Sequence, residues 1–368
     1  EQVLPLLVPY AETPALDTVD LSARQWIDRL RGAEETDAVF LIRRFERLSG
    51  DAFTRESLYD SLDVPLICAA APEGPSRTRA WYPRATITHQ QSPLARERPD
   101  LERAIAESPR APTNVSRREA ARLIDLTREA MVTRLRDLYS FSYPDPDDVS
   151  IVGFGDGLQF VCIGTAPERR LMLESVYGLL TLQNGVPTGY VLISSLFRSS
   201  EIAFNVFETF RGGEAGRVFG RVLALAHHLF GARTFSIDPY QLGRDNDEGL
   251  RSGAWWFYAK LGFEPDDPEV RGLARRERAR MAKDPRHRSD LDTLRALASV
   301  PLFFRPFSRG DVALGALDTG QIGLRVSRTL AARFGSDREV GLEALSDEAR
   351  RRLGMRSTAG CTRAQRLW

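Results

Sequence analysis

The chain has 368 residues, of which 42% are hydrophobic and 27% are charged, and its formal net charge is +1. These values are typical of a soluble globular protein with room for two or three hydrophobic cores. The near-neutral balance argues against a general nucleic-acid-binding protein, although it leaves local basic patches open, and no apolar run approaches the roughly 20 residues needed to cross a membrane.

The cysteines and lysines set expectations about compartment and source. The three cysteines are widely scattered, at Cys68, Cys162 and Cys361. Because this gives neither a disulfide framework nor a metal-ligand spacing, we expect a reducing cytoplasm and no metal site. Lys260 and Lys283 are the only lysines, and a GC-rich bacterial genome would produce such a bias towards arginine. The chain does not begin with methionine, so we expect that its natural N-terminus is trimmed here.

Residues 1–145 are predicted to form a mainly helical N-terminal region. Apolar residues at three- and four-residue spacing predict helices over residues 21–30 and 37–48. Residues 64–71 have the composition of a short buried strand. The prolines and charges of residues 72–112 predict an irregular connection.

A long amphipathic helix is predicted to begin after Ser116. Ser116 and Glu119 have the spacing of a capping box, in which each side chain accepts a hydrogen bond from the backbone N–H of the other residue. Apolar residues repeat from there as far as Leu138, and Tyr143-Pro144 is expected to end the helix.

Residues 148–197 change to the alternation that is typical of strands. Two turn sequences that favour tight hairpins, Asp156-Gly157 and Asn184-Gly185, each separate a pair of strand candidates. We therefore predict an antiparallel meander of strands at 149–154, 158–163, 175–182 and 189–197.

A strand, a helix and a second strand are predicted to follow. Residues 202–206 suit a strand with both faces covered, and the helix after the glycine-rich turn is expected to end at Gly231. A unit of this kind predicts a right-handed crossover between parallel strands. The glycine-rich turn brings backbone N–H groups to a helix N-terminus and so suits a phosphate. A tight strand-to-helix corner is the alternative interpretation.

The run from Ala254 to Phe263 reads A-x-x-F-Y-x-K-L-G-F. It resembles the closing motif of the GNAT acyltransferase superfamily, which has the form A-x-x-F/L-Y-x-K-x-G-F. In the same register, Val206, Arg211 and Gly216 match the family's V-x-P-x-x-Q/R-x-x-G-x-G/A pyrophosphate loop without gaps. The resemblance covers residues 146–266. It implies an α/β (α+β) fold, a GNAT-like mixed sheet with flanking helices.

The resemblance also implies that acetyl-CoA or another acyl-CoA is the co-substrate. The residues implied to contact it are Val206, Phe207, Arg211, Gly212, Gly213, Ala215, Gly216 and Arg217.

Three residues depart from the family pattern. Glu208 stands where proline is frequent, Arg251 where asparagine is frequent, and Glu214 where the loop's first glycine is expected. A carboxylate about 5 Å from a phosphate charge would cost roughly 3 kcal/mol at an effective dielectric constant of about 20. A helix N-terminus returns only about 0.3–1 kcal/mol. Either Glu214 points out of the site, or the donor is not held by its pyrophosphate in the usual way.

Transfer of an acyl group by direct attack requires a bound donor, a neutral amine and a proton for the departing thiolate. The resemblance implies that Tyr258 lies near the thioester sulfur. Because a phenol has a pKa of about 10, it is protonated at pH 7 and can donate that proton. Glu208 is a candidate base, since it follows the binding strand, and Asp238 is a weaker candidate at the end of the next strand. A buried structural tyrosine and a solvated glutamate are the alternatives.

Residues 267–368 are predicted to form a basic, mainly helical C-terminal arm, and the family's final hairpin is not visible after Pro265. The stretch from Arg271 to Arg288 carries eight Lys or Arg residues. It is either a solvated helical face or a dock for an acidic partner such as a carrier protein or tRNA. A strand is predicted at 301–304, and helices at 323–334 and 342–353.

The sequence thus predicts an N-acyltransferase that moves an acyl group from a CoA or carrier-protein thioester to a small-molecule or peptide amine. Two alternatives stay open. One is a GNAT-like binding module without catalysis, which the presence of Glu214 in the loop favours. The other is a transferase that takes an aminoacyl-tRNA or an acyl carrier protein as its donor, docked on the arginine-rich stretch.

Overall fold

The structure is a computed structural model that describes residues 22–61, 80–91, 93, 97–134, 136, 139–170, 175–212, 214–308, 313 and 319–359. The chain forms two compact units, residues 1–69 and residues 70–368. The strand expected at 64–71 and the last residues of the arginine-rich tail lie outside the described residues.

The first unit contains three short helices in its described part. They are α1 (Ala23–Leu30), α2 (Asp37–Glu46) and α3 (Ala52–Asp60). Each helix begins at a residue whose side chain accepts a hydrogen bond from the first turn, as the sequence of a capped helix requires; these residues are Ser22, Thr36 and Asp51. The two helices predicted in this unit are confirmed, and α3 packs against α2 through an edge-to-face contact of Phe45 with Tyr59.

The second unit is built on one mixed sheet, to which nine strands of the described chain belong. Their bounds are β1 (Thr113–Asn114), β2 (Pro144–Gly155), β3 (Leu158–Thr165), β4 (Ser175–Gln183), β5 (Val186–Leu196), β6 (Ser199–Val206), β7 (Thr234–Ile237), β8 (Glu264–Pro265) and β9 (Leu302–Phe304). The spatial order is β1-β2-β3-β4-β5-β6-β7-β9-β8. Only the pair β6–β7 is parallel among these strands. The predicted mixed α/β fold with flanking helices is therefore confirmed.

Helices cover both faces of this sheet and extend beyond it. Their bounds are α4 (Leu101–Ala106), α5 (Arg117–Val132), α6 (Tyr139–Ser142), α7 (Ala215–Phe230), α8 (Pro239–Leu242), α9 (Asp247–Ser252), α10 (Ala254–Lys260), α11 (Pro268–Lys283), α12 (Leu291–Leu297), α13 (Thr319–Phe334) and α14 (Arg338–Arg352). Helices α4, α7 and α10 share one hydrophobic core with the sheet, and α5 and α6 share the other. Strand β3 is largely apolar because both of its faces are buried. Phe160 and Cys162 enter the first core, whereas Val161 and Ile163 enter the second.

The predicted turns and strands of the meander are confirmed. Asp156 and Gly157 have φ angles of 50° and 75°, and Asn184 and Gly185 have 51° and 80°. Both central residues of a type I′ hairpin need positive φ, which is why asparagine, aspartate and glycine occupy these positions. The predicted end of the long helix at Gly231 is also confirmed, with a φ of 70°.

Two expectations about the N-terminal part of this unit need correction. The stretch 72–112, expected to be irregular, contains α4, whose six residues are too few for a clear helical period. At Ser116 only half of the expected capping box forms. The hydroxyl accepts the N–H of Glu119 at 3.3 Å, but the Glu119 carboxylate lies 3.2 Å from Arg84. Helix α5 ends at Val132.

The closing strands form an antiparallel pair that is not a hairpin. Strand β9, which was predicted, pairs with β8 between Glu264 and Phe303, but α11 and α12 separate the two strands in the chain. Strands of two and three residues are too short for an alternating pattern, so the sequence did not reveal their pairing. The two helices predicted near the C-terminus are confirmed as α13 and α14, which pack against each other.

None of the helices in the described part of the chain is both long and apolar enough to cross a membrane.

Replacement of Ser116 by alanine is expected to destabilise the second unit by about 1 kcal/mol, because the first turn of α5 loses the acceptor for a backbone N–H. Urea unfolding followed by circular dichroism measures this difference. Ser327→Ala, at an exposed position inside α13, is the matched control and should change stability by less than about 0.5 kcal/mol. Equal effects of the two substitutions would show that the cap contributes nothing specific.

Candidate functional site

A cleft opens where the two parallel strands part. Strands β6 and β7 pair only from Ser199 to Glu201; β6 then continues to Val206, whereas β7 ends at Ile237. The resulting space of about 570 Å³ lies between the end of β6, the first turn of α7 and helix α10. We call it the central cleft. Its size falls within the range of small-molecule sites.

The glycine-rich turn forms one end of the central cleft. Gly212, Ala215 and Gly216 line it. A Cβ atom at Gly216 would lie only 3.1 Å from Cδ of Pro99. Residues larger than glycine at position 216 would therefore crowd the segment that carries Pro99. The N–H groups in the first turn of an α-helix have no partner within that helix, which makes this end of the cleft suitable for an anion. Gly213 lies outside the described residues.

Glu214 is turned away from the central cleft. It precedes α7 but makes no side-chain capping bond. Its Oε1 lies 3.2 Å from Nη1 of Arg217, and Nη2 of Arg217 lies 2.6 Å from Oδ2 of Asp156. Glu214 and Arg217 line a different cavity and are absent from the lining of the central cleft. The guanidinium of Arg217, which the sequence assigned to the co-substrate, is thus held between two carboxylates.

Arg211 is fixed at the mouth of the central cleft by two acceptors. Its Nε donates to the carbonyl oxygen of Val206 at 3.3 Å, and Nη2 contacts the Glu248 carboxylate. Arg136 binds the same carboxylate at 2.7 and 2.9 Å. The hydrogen bonds from Arg136 and Arg211 lower the pKa of Glu248 to about 2, so this carboxylate is charged at neutral pH.

Tyr258 lies at the base of the central cleft, where it lines the wall while only 3% of its surface is exposed. Its ring packs edge-on against Phe219, with ring centroids 5.4 Å apart, and against Phe263 at 5.9 Å. Burial raises the pKa of its hydroxyl, and a hydrogen bond with the backbone of Phe204 on β6 opposes part of that rise. The phenol therefore keeps its proton at neutral pH.

Three residues that the sequence grouped with the site lie elsewhere. Glu208 is exposed in a short 3₁₀ turn after β6. Asp238 caps α8, where Oδ1 accepts the N–H of Tyr240 at 2.8 Å. Phe207 is buried in the second core, and the guanidinium carbon of Arg134 lies 4.2 Å from the centre of its ring. None of the three lines the central cleft or the neighbouring cavity.

A second space of about 890 Å³ flanks the other side of the first turn of α7. We call it the side cavity. Its wall comes from the β2–β3 turn, the ends of β4 and β5, and the segment 88–91. It shares with the central cleft the residues Phe204, Asn205, Val206, Arg211 and Ala215. The end of β6 is thus accessible from both spaces.

Glycine is required where β5 approaches this shared strand. A Cβ atom on Gly189 would lie 2.3 Å from the carbonyl oxygen of Asn205, so no other residue fits without moving the backbone.

Several residues of the site were not found from the sequence. For Glu248 the sequence offered one signal. Acidic residues favour the first turn of a helix, and Asn246 is a suitable cap two residues earlier. Arg98 and Pro99 reach the cleft from a proline-rich stretch without any periodic pattern, and Trp256 reads as an ordinary core residue. Their placement depends on contacts between distant parts of the chain.

No group of three or more His, Cys, Asp or Glu side chains suited to a metal ion occurs among the described residues. Comparison of the chain with protein families, with curated proteins and with solved structures finds no match.

The pairing of Glu248 predicts a pH-dependent contribution to stability. Because its pKa is lowered from an ordinary value of 4.5 to about 2, its ion pairs stabilise the fold above about pH 4.5 and lose that effect as the pH falls towards 2. Glu248→Gln is therefore expected to lower the melting temperature at pH 6, while the difference from wild type shrinks towards pH 3. Since the side chain is 47% exposed, solvent screening limits the effect to about 1 kcal/mol.

Asp247→Asn is the matched control, because the neighbouring carboxylate is 78% exposed and lies 3.8 Å from one arginine. Thermal melts of all three proteins between pH 3 and pH 7 give the comparison. A difference between wild type and Glu248→Gln that stayed constant over this range would contradict the assignment.

Proposed function

We propose that the protein is a GNAT-like N-acyltransferase that moves an acyl group from a thioester of CoA to a primary amine. The observation that carries this proposal is the central cleft itself. A glycine-rich helix N-terminus lies at one end, Tyr258 lines the wall, and the part of β6 that extends beyond its pairing with β7 lies in the same wall. The residues that resemble the family's two motifs, though distant in the chain, thus line one space. A cytoplasmic location is part of the same proposal.

The charges around the central cleft fit a phosphate-bearing ligand. Arg98 and Lys260 line the cleft, are exposed, and have no side-chain ion-pair partner among the described residues. Both are free to contact phosphate oxygens together with the N–H groups of α7. The carboxylate that stood against such binding, Glu214, lies in the lining of the side cavity. The expected repulsion is therefore reduced by distance and by the Arg217 guanidinium.

The proposed reaction forms one bond and breaks one. The amine nitrogen bonds to the carbonyl carbon of the thioester, the carbon–sulfur bond breaks, and the nitrogen loses a proton while the sulfur gains one. Tyr258 gives its phenolic proton to the sulfur and is restored by the proton that the nitrogen releases through water. Its raised pKa keeps the proton in place before reaction, and the hydrogen bond with Phe204 eases its release. Glu208 and Asp238 take no part in this step.

Tyr258→Phe is expected to lower the turnover number by about 10²–10⁴-fold, because the ring keeps its packing and only the proton is removed. The measurement is thiol release from acetyl-CoA in the presence of a panel of primary amines. The affinity for CoA and the melting temperature should change little. Tyr240→Phe, at an exposed position outside the cleft, is the matched control and should keep full activity.

Each other outcome points to a different conclusion. Full turnover in Tyr258→Phe would move the proton to water or to another residue. Binding of CoA that Gly216→Trp abolishes, without turnover in any variant, would favour the catalytically inactive binding module. Absence of CoA binding in calorimetry would contradict CoA as the donor.

A second candidate donor is favoured by the exposed face of α11. All eight Lys and Arg residues between Arg271 and Arg288 are exposed. Five of them have no side-chain partner among the described residues: Arg275, Arg276, Arg278, Lys283 and Arg286. The acidic residue Glu277 is buried beneath this face. The helix thus presents unpaired positive charge to solvent.

This basic face is connected to the central cleft. Nε1 of Trp256, which lines the cleft, donates to Oγ of Ser289 at 3.2 Å, and Ser289 donates to Glu277 of α11 at 2.6 Å. None of the exposed large hydrophobic residues of the described chain lies on α11. Protein partners usually need apolar anchors, whereas a nucleic-acid backbone needs mainly cations. An aminoacyl-tRNA donor is therefore favoured over an acyl carrier protein at this face.

The combined substitution Arg275→Ala, Arg278→Ala and Lys283→Ala is expected to weaken binding of bulk tRNA at least about tenfold and to reduce the slope of log K against log salt by about 3, one for each lost phosphate contact. Fluorescence anisotropy at several salt concentrations measures both. Arg325→Ala with Arg328→Ala, on exposed positions of α13, is the control. Binding of an acidic carrier protein in place of tRNA would favour the carrier-protein donor, and binding of neither would leave CoA alone.

A further inference from the structure

We infer that the side cavity is the acceptor pocket, that it takes a cationic primary amine with a neutral, hydroxyl- or amide-bearing body, and that Glu214 binds the ammonium group. This inference rests on the proposed function, because it names the acceptor for the same transfer. The acceptor binds as an ammonium ion and loses one proton to solvent water before it attacks, since only the neutral amine is a nucleophile; its second proton leaves during the transfer itself.

The position of the side cavity suits an acceptor. Direct attack requires the amine and the carbonyl carbon to approach to about 3–3.5 Å. The central cleft and the side cavity share Phe204, Asn205 and Val206 at the end of β6. A donor in the cleft and an amine in the cavity can therefore meet at this strand.

The charges of the side cavity select the sign of its ligand. Arg217 is held between Glu214 and Asp156, and these three groups together carry one negative charge. Arg211, the other guanidinium in the lining, is bound to Glu248. Glu248 also binds Arg136, so Arg211 keeps part of its positive charge, and the negative charge of the lining lies at Glu214 and Asp156. An ammonium group beside Glu214 gains a charge-assisted hydrogen bond there, whereas a carboxylate or phosphate at that place would be repelled by these two carboxylates.

The floor of the side cavity selects the body of the ligand. The side chains there are neutral and polar, from Thr181, Gln183, Thr188 and Asn205. Gln183, Thr188 and Asn205 are partly exposed, so their polar groups are open to a ligand, whereas Thr181 is buried. Hydroxyl and amide groups on the acceptor fit this surface better than a long alkyl chain.

The same assignment accounts for Glu214 itself. The loop of the family that this stretch resembles has a glycine at this position, and a carboxylate there would repel a phosphate. In this chain the side chain turns to the opposite side of the first turn of α7, where it lines the side cavity and only 27% of it is exposed. The first turn of one helix thus serves two ligands, with its backbone facing the donor and the Glu214 carboxylate facing the amine.

The test measures amine binding to the full chain saturated with CoA, by calorimetry at pH 7. The probes are glucosamine and serinamide, each beside its N-acetylated counterpart, which keeps the body and removes the charge. Wild type is expected to bind both amines at least about tenfold more tightly than the acetylated forms. Glu214→Gln, which keeps the shape of the side chain, should remove that preference and change the affinity for CoA by less than about threefold. Asp156→Asn should reduce the preference by only about threefold, because this carboxylate is 72% exposed.

Asp247→Asn, which changes an exposed carboxylate outside both spaces, is the matched control and should behave as wild type. Glu214→Gln that binds the amines as wild type does, or wild type that does not distinguish the amines from their acetylated forms, would overturn the inference. So would a tenfold gain in CoA affinity on loss of the charge, because the carboxylate would then reach the phosphates. Amine binding that depends on Glu214 while CoA fails to bind would contradict CoA as the donor but would support the amine pocket.

Discussion

The early parting of β6 from β7 is the constraint on which the rest of the site depends. The two strands share a parallel ladder only between Ser199 and Glu201. Backbone groups of β6 beyond that point need other partners, since a buried amide or carbonyl without one is costly. Arg211 supplies one, because its Nε donates to the carbonyl oxygen of Val206 at 3.3 Å. The tyrosine that resembles a catalytic acid, Tyr258, is held by aromatic packing against Phe219 and Phe263 while it lines the cleft wall.

Charge then distinguishes the two spaces on either side of α7. The arginines nearest the end of β6 are each bound to carboxylates, Arg211 to Glu248 and Arg217 to Glu214 and Asp156. Arg98 and Lys260, which line the central cleft, have no ion-pair partner among the described residues, whereas Arg217 of the side cavity has two. Because both spaces reach the same strand, the proposed donor and the inferred acceptor would occupy places of different charge on either side of it.

The sequence predicted those features that depend on local backbone geometry. Hairpin turns at Asp156-Gly157 and Asn184-Gly185 need positive φ angles, and Gly231 ends a helix for the same reason, so residue type alone identifies them. The two stretches that resemble family motifs line one cleft, but the implied position of Tyr258 near a thioester sulfur stays a prediction. Features set by distant contacts escaped prediction: the short pair β8–β9, the ion pairs of Glu248, and the partners of Glu214, whose outward direction was one of two alternatives. A side-chain direction at a helix start depends on which charges tertiary packing brings near, and here these come from the β2–β3 turn.

Helices α11 and α12 are inserted between the two short strands β8 and β9. The buried carboxylate of Glu277 ties α11 to the loop that follows it. Glu277 is 1% exposed and is bound by Ser289 at 2.6 Å, His287 at 2.9 Å and Arg280 at 2.8 Å. Burial would raise its pKa, but these hydrogen bonds and charges outweigh that effect and lower it. A buried charge is stable only when its partners are in place, so Glu277 fixes the loop that carries Ser289. Ser289 in turn holds the indole of Trp256 at the central cleft. The inserted helices therefore support the wall of the cleft through Ser289 and Trp256, although none of their own residues lines it.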